Sequence, residues 1–347
     1  MNAATLGEGQ TPLVGSTQVG RRHGLDRLFF KLEGLNPSGS YKDRFVAAEI
    51  TRMRSAGARA CVATSSGNTG SSLAAFCARY AVQPVIVVNQ HVPAGKLRQM
   101  LAHGARVIRV RDFVTSPEIT ELVLDCLEAM SRSSSIPLVI SAYRYCPTGM
   151  AGVESIATEL AAQSDRPIDH VFVPVGGGGL ISAVCRGFAR LRSPGPRIHA
   201  VQPEGCSTVV AALERGDDRI LPVESRTAIS GLAVPFDIDA SLALALVRAS
   251  GGLGFAVSDD DAFGAQQMLF GQEGIYAEPA GAASLAGLIK AVSAGVVRPG
   301  DLAVCLVTGH GFKDPDAADR AAARHEPMLI DHADLESRIL DLVASCA

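Results

Sequence analysis

Short β-rich runs and stretches of helical period alternate along the chain from Cys61 to Ser141. CVAT (61–64), PVIVV (84–88), ARVIRV (105–110) and PLVI (137–140) read as strands, and 69–80, 95–103 and 116–132 read as helices. The last is the clearest. Ile119, Leu122, Val123, Cys126, Leu127 and Met130 fall at i, i+3, i+4, i+7 spacing as one apolar stripe, behind Ser116 as N-cap and Pro117 at the first position. Strands alternating with helices imply βαβ units around a parallel sheet. After Pro147 the alternation resumes with VFVPV (171–175), a helix over about 180–191, RIHAVQP (197–203) and DLAVCLVT (301–308), which implies a second α/β layer. Gly/Pro punctuation such as SPGP (193–196) and RPG (298–300) closes segments, with no internal repeat. The end of the chain, 333–347, reads as an amphipathic helix through Leu335, Ile339, Leu340 and Val343, expected to pack on its own domain or on a second subunit.

Composition narrows the class. A chain of 347 residues with 47% hydrophobic positions is long enough for two domains with real cores. Lys+Arg 32 against Asp+Glu 35 are interspersed, leaving a net charge of -3 and no basic face for nucleic acid or a membrane surface. The N-terminal MNAATLGEGQTPLV lacks the charged and apolar regions of a leader, and no apolar run reaches the roughly 20 residues of a membrane span. The expectation is a cytoplasmic protein. Eight scattered cysteines without a C-x-x-C pair read as small buried thiols in a reducing compartment, so no disulfide and no structural metal is expected.

Four stretches could carry chemistry, each where a strand feeds a helix, which is where open α/β sheets bind ligands. In NPSGSYKDR (36–44), turn residues precede Lys42 at the start of a helical run. Burial in a crevice destabilises an ammonium ion, so such a lysine becomes a nucleophile or Schiff-base former. Taken by itself, Lys42 also reads as a solvated first-turn lysine beside Asp43 and Arg44. In TSSGNTGSS (64–72), Ser65, Ser66, Thr69 and the N–H groups of a helix start suit a carboxylate or phosphate, or form a plain N-cap turn. In PVGGGGLISAV (174–184), Gly176, Gly177, Gly178 and Gly179 let backbone N–H groups approach a phosphate monoester. This is no G-x-G-x-x-G fingerprint, because Ile181 stands at the third glycine, and no P-loop occurs. VTGHGFKD (307–314) presents Thr308, His310 and Lys313 at a strand end, with His310 reading as a loop or core histidine.

With GEGQTPLV (7–14), KLEGLNPSGSYKDR (31–44), SSGNTG (65–70), VGGGGL (175–180) and TGHGFKD (308–314) in this order, the chain resembles the fold-type II pyridoxal-phosphate enzymes, and threonine synthases most of all. The resemblance implies two α/β domains, each an open, mostly parallel twisted sheet flanked by helices, as in the tryptophan synthase β subunit. The smaller domain is expected at 50–145 and closes on substrate, and the larger comprises 1–49 and 146–347. It further implies pyridoxal 5'-phosphate bound to Lys42 as a Schiff base. Asn68 would lie at the phenolic oxygen, Gly176 to Gly179 around the phosphate and Thr308 at the ring nitrogen. Ser65, Ser66 and Thr69 would hold the substrate carboxylate. A neutral hydroxyl at the nitrogen leaves a weaker electron sink, which elimination and replacement tolerate better than transamination does. The EPAGAAS stretch (278–284) matches a position where the group often brings a carboxylate near the cofactor. A homodimer is expected on family grounds.

One segment departs from the pattern. Threonine synthases carry an N-P-x-R-x-E-G-Q/K-K-T-like segment whose basic residues help hold the phosphate of O-phosphohomoserine. An ungapped match puts Gly149 at the arginine and Glu154 at the lysine, with Arg144 near enough to substitute if the register shifts. Two lost cations and a gained anion disfavour a dianionic phosphate. The expected activity is therefore elimination or replacement at Cβ or Cγ of an activated amino acid other than O-phosphohomoserine. Threonine synthase proper, a serine/threonine dehydratase-like deaminase and a non-catalytic cofactor- or amino-acid-binding regulator are the alternatives.

Overall fold

The computed structural model describes residues 2–65, 67–92, 94–114, 116–191, 195–323 and 327–344. Ten strands fall into two sheets. Leu13–Gly15 (β1), Leu28–Leu32 (β2), His170–Pro174 (β7), Arg197–Pro203 (β8), Gly254–Val257 (β9) and Ala303–Val307 (β10) form one, in the order β1-β2-β10-β7-β8-β9. Its strands are parallel except for the β1–β2 pair. Ala60–Thr64 (β3), Gln83–Asn89 (β4), Arg106–Val110 (β5) and Leu138–Val139 (β6) form the other, all parallel, in the order β5-β4-β3-β6. Among the described residues no helix is long and apolar enough to cross a membrane.

Both sheets reverse their winding. In the smaller one the chain runs outward from β3 to β4 and β5, then returns to place β6 on the other side of β3. In the larger one the late strand β10 inserts between β2 and β7. Beyond the carboxyl end of such a switch, the connecting loops diverge and leave a crevice. The loops after β3, β6, β7 and β10 are therefore the ones with room for a ligand.

A buried charge network fixes the segment that leads into the Lys42–Ser55 helix. Arg44 bonds Glu33 at 2.7 Å and Glu159 at 2.5 Å, and Lys31 bonds Glu159 at 2.7 Å. The GEGQTPLV segment closes over them, with Gln10 N–H donating to Glu159 and Thr11 Oγ1 to Glu33. Burial works against the Glu159 charge, but hydrogen bonds from Arg44 and Lys31 hold its carboxyl down at about 2. Asp43 is fully buried and accepts from Ser38 and from Ser72 on the Asn68–Tyr80 helix. With both neighbours buried, the reading of this turn as solvated falls.

One expectation about a helix is corrected, and a second loses its own-domain alternative. In the Pro117–Ser134 helix, Ser116 caps as expected, accepting from Ile119 N–H, but Leu122 and Cys126 face outward while Thr120 and Leu127 are buried. The buried stripe is thus narrower than the apolar one: Leu127 packs with Val62, Val87 and Phe113, and nothing among the described residues covers Leu122 or Cys126. The Leu335–Ala344 helix buries no residue on the rest of the chain. Residues 345–347, including Cys346, lie outside the described residues, as do residues 192–194 at the SPGP turn. Of the other cysteines all but Cys126 are buried, and none is in a disulfide.

Away from the crevice, two histidines fill the larger sheet. Leu253 N–H donates to His199 Nδ1 at 3.1 Å, so the His199 proton is on Nε2, 2.9 Å from His170 Nδ1, and His170 Nε2 meets Asp301 at 3.3 Å. Burial lowers both, His199 to about 3. A base depressed in the fold takes up its proton on unfolding, so stability is lost as pH falls from the ordinary histidine value of about 6.5 toward about 3. We expect the unfolding free energy read from denaturant melts to drop over that interval by an amount on the order of a few kcal/mol. His199→Phe, stacked on Phe172, should flatten the slope while lowering stability at pH 7 by about 1–3 kcal/mol, because Leu253 N–H loses its acceptor. An unchanged slope in that variant would assign the acid sensitivity elsewhere.

Candidate active site

The diverging loops enclose a cavity of about 590 Å³. Lys42, Ser65, Asn68, Thr69, Gly176, Gly177, Gly178, Gly179 and Thr308 all line it, although they come from four separate stretches of chain. Ser66 lies outside the described residues.

Lys42 is the first residue of its helix. The loop before it pairs with the loop after β10: Tyr41 N–H donates to Thr308 O at 3.1 Å, and His310 N–H to Gly39 O at 2.9 Å. Lysine and threonine are thus brought to one wall. The ammonium donates to Ser141 Oγ at 2.8 Å and faces the Tyr41 ring at 4.6 Å. Burial is the larger influence on it and the Asp239 charge opposes, bringing the amine down to about 8. Ser141 follows β6, and its loop is held by Asp239, whose carboxylate accepts from Tyr143 N–H at 2.6 Å and Arg144 N–H at 3.2 Å.

The β3 loop starts the Asn68–Tyr80 helix, whose first-turn N–H groups have no intrahelical acceptor. Ser65 Oγ accepts from Gly67 and Gly70 N–H at 3.2 and 3.0 Å, leaving its own O–H free to donate. Asn68 Nδ2 donates to Glu278 at 2.6 Å, while its Oδ1 is buried with no partner. The β7 loop starts the Gly179–Arg190 helix. Gly178 has φ +97°, and a Cβ there would stand 2.5 Å from the Asp239 carbonyl oxygen, so only glycine fits. At Gly177 the nearest atoms to such a Cβ, on Ile238 and Val234, are at 3.5 Å or more, an ordinary van der Waals contact.

A family model for pyridoxal-phosphate dependent enzymes matches residues 4–309. The chain belongs to that family. Over 335 residues it is 34% identical to the threonine synthase of Methanocaldococcus jannaschii, a match that covers 94% of this chain and 80% of that one. To the threonine synthase of Mycobacterium tuberculosis H37Rv it is 32% identical over 334 residues, 94% of this chain and 88% of that one. Among solved structures, a threonine deaminase from T.th. superposes with a TM-score of 0.72 at 26% identity, over 87% of this chain and 92% of that one. O-ureido-L-serine synthase superposes with a TM-score of 0.76 at 20% identity, over 97% and 99%, a likeness of fold. The family's cofactor is pyridoxal 5'-phosphate, and the cavity fits it. There is a half-buried amine lowered toward neutrality, a glycine cradle at a helix start, and an orphaned carboxamide oxygen.

The departure read at Gly149 and Glu154 does not reach the site. A Cβ at Gly149 would meet Phe45 at 2.5 Å, and Glu154 turns into the protein, bonded by Tyr143 Oη and paired with Arg186 and Arg190. Neither lines the cavity, whereas Arg144 does. Ser141 and Asp239 escaped sequence reading altogether, since both stand in loops without glycine or periodicity to mark them. His310 is a half-buried loop residue whose Nδ1 accepts from Phe312 N–H.

Proposed function

We propose that the chain is a threonine-synthase-like lyase that eliminates or replaces a group at Cβ or Cγ of an amino acid other than O-phosphohomoserine, with Lys42 as its cofactor lysine. The observation that supports this most is the meeting of Lys42, two anion-binding helix starts and the neutral Thr308 in one cavity. When bound, pyridoxal phosphate supplies an aldehyde for an amine to attach and a conjugated ring that spreads the electron pair left at Cα. In this reading Gly176, Gly177, Gly178 and Gly179 hold the phosphate on backbone N–H groups. Asn68 meets the phenolic oxygen, and Thr308 offers the ring nitrogen a hydroxyl where a carboxylate would keep it protonated. Ser65, Ser66 and Thr69 hold the substrate carboxylate. Lys42, lowered to about 8, supplies the lone pair that takes the Cα proton and returns it. Residues 50–145 form the smaller domain and close over the larger one, 1–49 and 146–347, excluding water.

The side-chain charges support a substrate without a phosphate ester. Glu121, Asp125, Glu128, Asp237 and Glu278 line the cavity against Lys42 and Arg144, so a dianion would rely on Arg144 alone once Lys42 is engaged. Threonine synthesis itself is the second reading, favoured by that same Arg144 and by the curated relatives. A panel of serine, threonine, O-phosphohomoserine and β-substituted alanines, assayed for 2-oxo acid, released leaving group and threonine, separates the readings. Phosphate release with threonine formation from O-phosphohomoserine would overturn the first, and cofactor binding without any turnover would point to a regulator.

The amine also sets a pH dependence. Only neutral Lys42 attacks an aldehyde, so the cofactor-free protein should capture pyridoxal phosphate faster as pH rises, levelling above about 8. Stopped-flow absorbance measures the rate, and a profile still climbing toward the ordinary lysine range would contradict the burial effect.

A further inference from the structure

The contact that orients Asn68 crosses between the two sheets and ends on a buried lysine outside the cavity wall. Glu278 precedes the Pro279–Ser293 helix that covers the larger sheet, and its N–H donates to Gly309 O at 3.0 Å. It can sit there only because residue 309 is glycine, since a Cβ would lie 2.2 Å from Glu278 Oε1. Two groups from the β3–β5 side reach it. Asn68 Nδ2 donates to Oε1 at 2.6 Å, and the Lys96 ammonium, from the Ala94–Ala102 helix, lies 3.3 Å from Oε2. Lys96 and Glu278 are each 1% exposed. Oε2 accepts no aligned hydrogen bond, so Lys96 acts on it as a charge, held also by Ser230 Oγ at 3.4 Å. Lys313 and His310 also face Glu278, but the Lys313 ammonium is committed to Gln99 Oε1 at 2.6 Å. Among the described residues Lys96 is the one cation within ion-pair distance of Glu278.

We propose that Lys96 is a positioning residue: its ammonium holds the Glu278 carboxylate in place, and Glu278, accepting from Nδ2, fixes the orientation of the Asn68 carboxamide at the cavity wall. This rests on the reading of the cavity as the cofactor site. A buried carboxylate stripped of its cation is costly and is driven toward its neutral form. Without the Lys96 ammonium beside Oε2 the carboxyl group is no longer held in one orientation, and the acceptor that Asn68 Nδ2 finds at Oε1 loses its fixed place. Both contacts to Glu278 span the two sheets, so Asn68 is correctly turned only while they are closed together. Lys96 thereby links the state of the cleft to a group beside the cofactor without touching it.

The test uses pyridoxal-phosphate-loaded protein and four variants: Lys96→Met, Lys96→Arg, Glu278→Gln, and Lys96→Met with Glu278→Gln. Lys96→Met is expected to shift the absorption band of the bound cofactor. It should lower kcat by about 10-fold or more, with KM for the amino acid changed by less than about 3-fold. Lys96→Arg should restore the band. In the Glu278→Gln background no carboxylate remains to strand, so adding Lys96→Met should change neither band nor kcat further. Should Lys96→Met alone not fold, that background carries the test, and a further shift there overturns the proposal. It is equally overturned if Lys96→Met melts earlier but keeps the wild-type band and kcat, the mark of a purely structural lysine. Wild-type protein that takes up no pyridoxal phosphate refutes instead the reading of the cavity.

Discussion

Lys42→Ala is expected to lower turnover roughly 10⁴-fold or more on any amino acid that the wild-type protein converts. The substitution removes covalent attachment of the cofactor together with a general base worth about 10²–10⁴ alone. The fold should not suffer. Among the described residues the Lys42 side chain makes a single hydrogen bond, to Ser141 Oγ, and its charge is opposed by burial, while alanine is the better residue for a first helical turn. The melting temperature should therefore stay level or rise, and the cofactor absorption of a lysine-bound species should vanish. Steady-state rates with a melting curve on the same preparation decide it. A variant that turned over at the wild-type rate would remove Lys42 from the chemistry, and loss of activity with loss of fold would leave only a structural residue.

The glycine loop predicts the other large effect, as a contrast between neighbours. Gly178→Ala meets both a positive φ, costing about 1–2 kcal/mol for a residue with a Cβ, and the Asp239 backbone at 2.5 Å. Asp239 anchors Tyr143 and Arg144 beside Ser141, so its displacement travels to Lys42. We expect a loss of about 2–4 kcal/mol in stability and an apparent Kd for pyridoxal phosphate raised about 100-fold. Gly177→Ala finds ordinary contacts with Ile238 and Val234, so the chain tolerates it, and on the proposed reading the methyl crowds the phosphate on this loop. Stability should hold within about 0.5 kcal/mol while Kd rises about 10-fold. Fluorescence titration with cofactor, beside denaturant melts, reads both quantities. Equal effects at the two positions would show that the loop is a tight turn with no part in binding.

Most of the residues that line the cavity were legible because their signals are local. A strand running into glycines and hydroxyls at a helix start needs only nearest neighbours to be recognised, and Asn68, Gly176 to Gly179 and Thr308 all carry that mark. Lys42 carried it weakly, since burial of Asp43 and Arg44 depends on Ser72, Glu33 and Glu159, up to 115 residues away. The Leu122 and Cys126 stripe misled for a related reason. Periodicity reports which face of a helix is apolar, and an apolar position is buried only where a neighbouring layer covers it. Register matching could place Gly149 and Glu154 opposite basic residues, but a one-dimensional match cannot say which way a side chain turns, and Glu154 turns to Tyr143, Arg186 and Arg190 and not into the cavity.

By itself the sequence determined the βαβ alternation, the family and the residues at each strand end, because helix and strand periods and turn chemistry are properties of short segments. Tertiary structure alone decided that β10 inserts between β2 and β7 and that β6 returns beside β3, since pairing between distant strands depends on the packing of whole layers. It also decided what stands around Lys42. Ser141, Asp239, Arg144 and the Lys96–Glu278–Asn68 contacts are polar groups whose meaning comes from a partner far along the chain, and only the closed fold brings those partners within bonding distance.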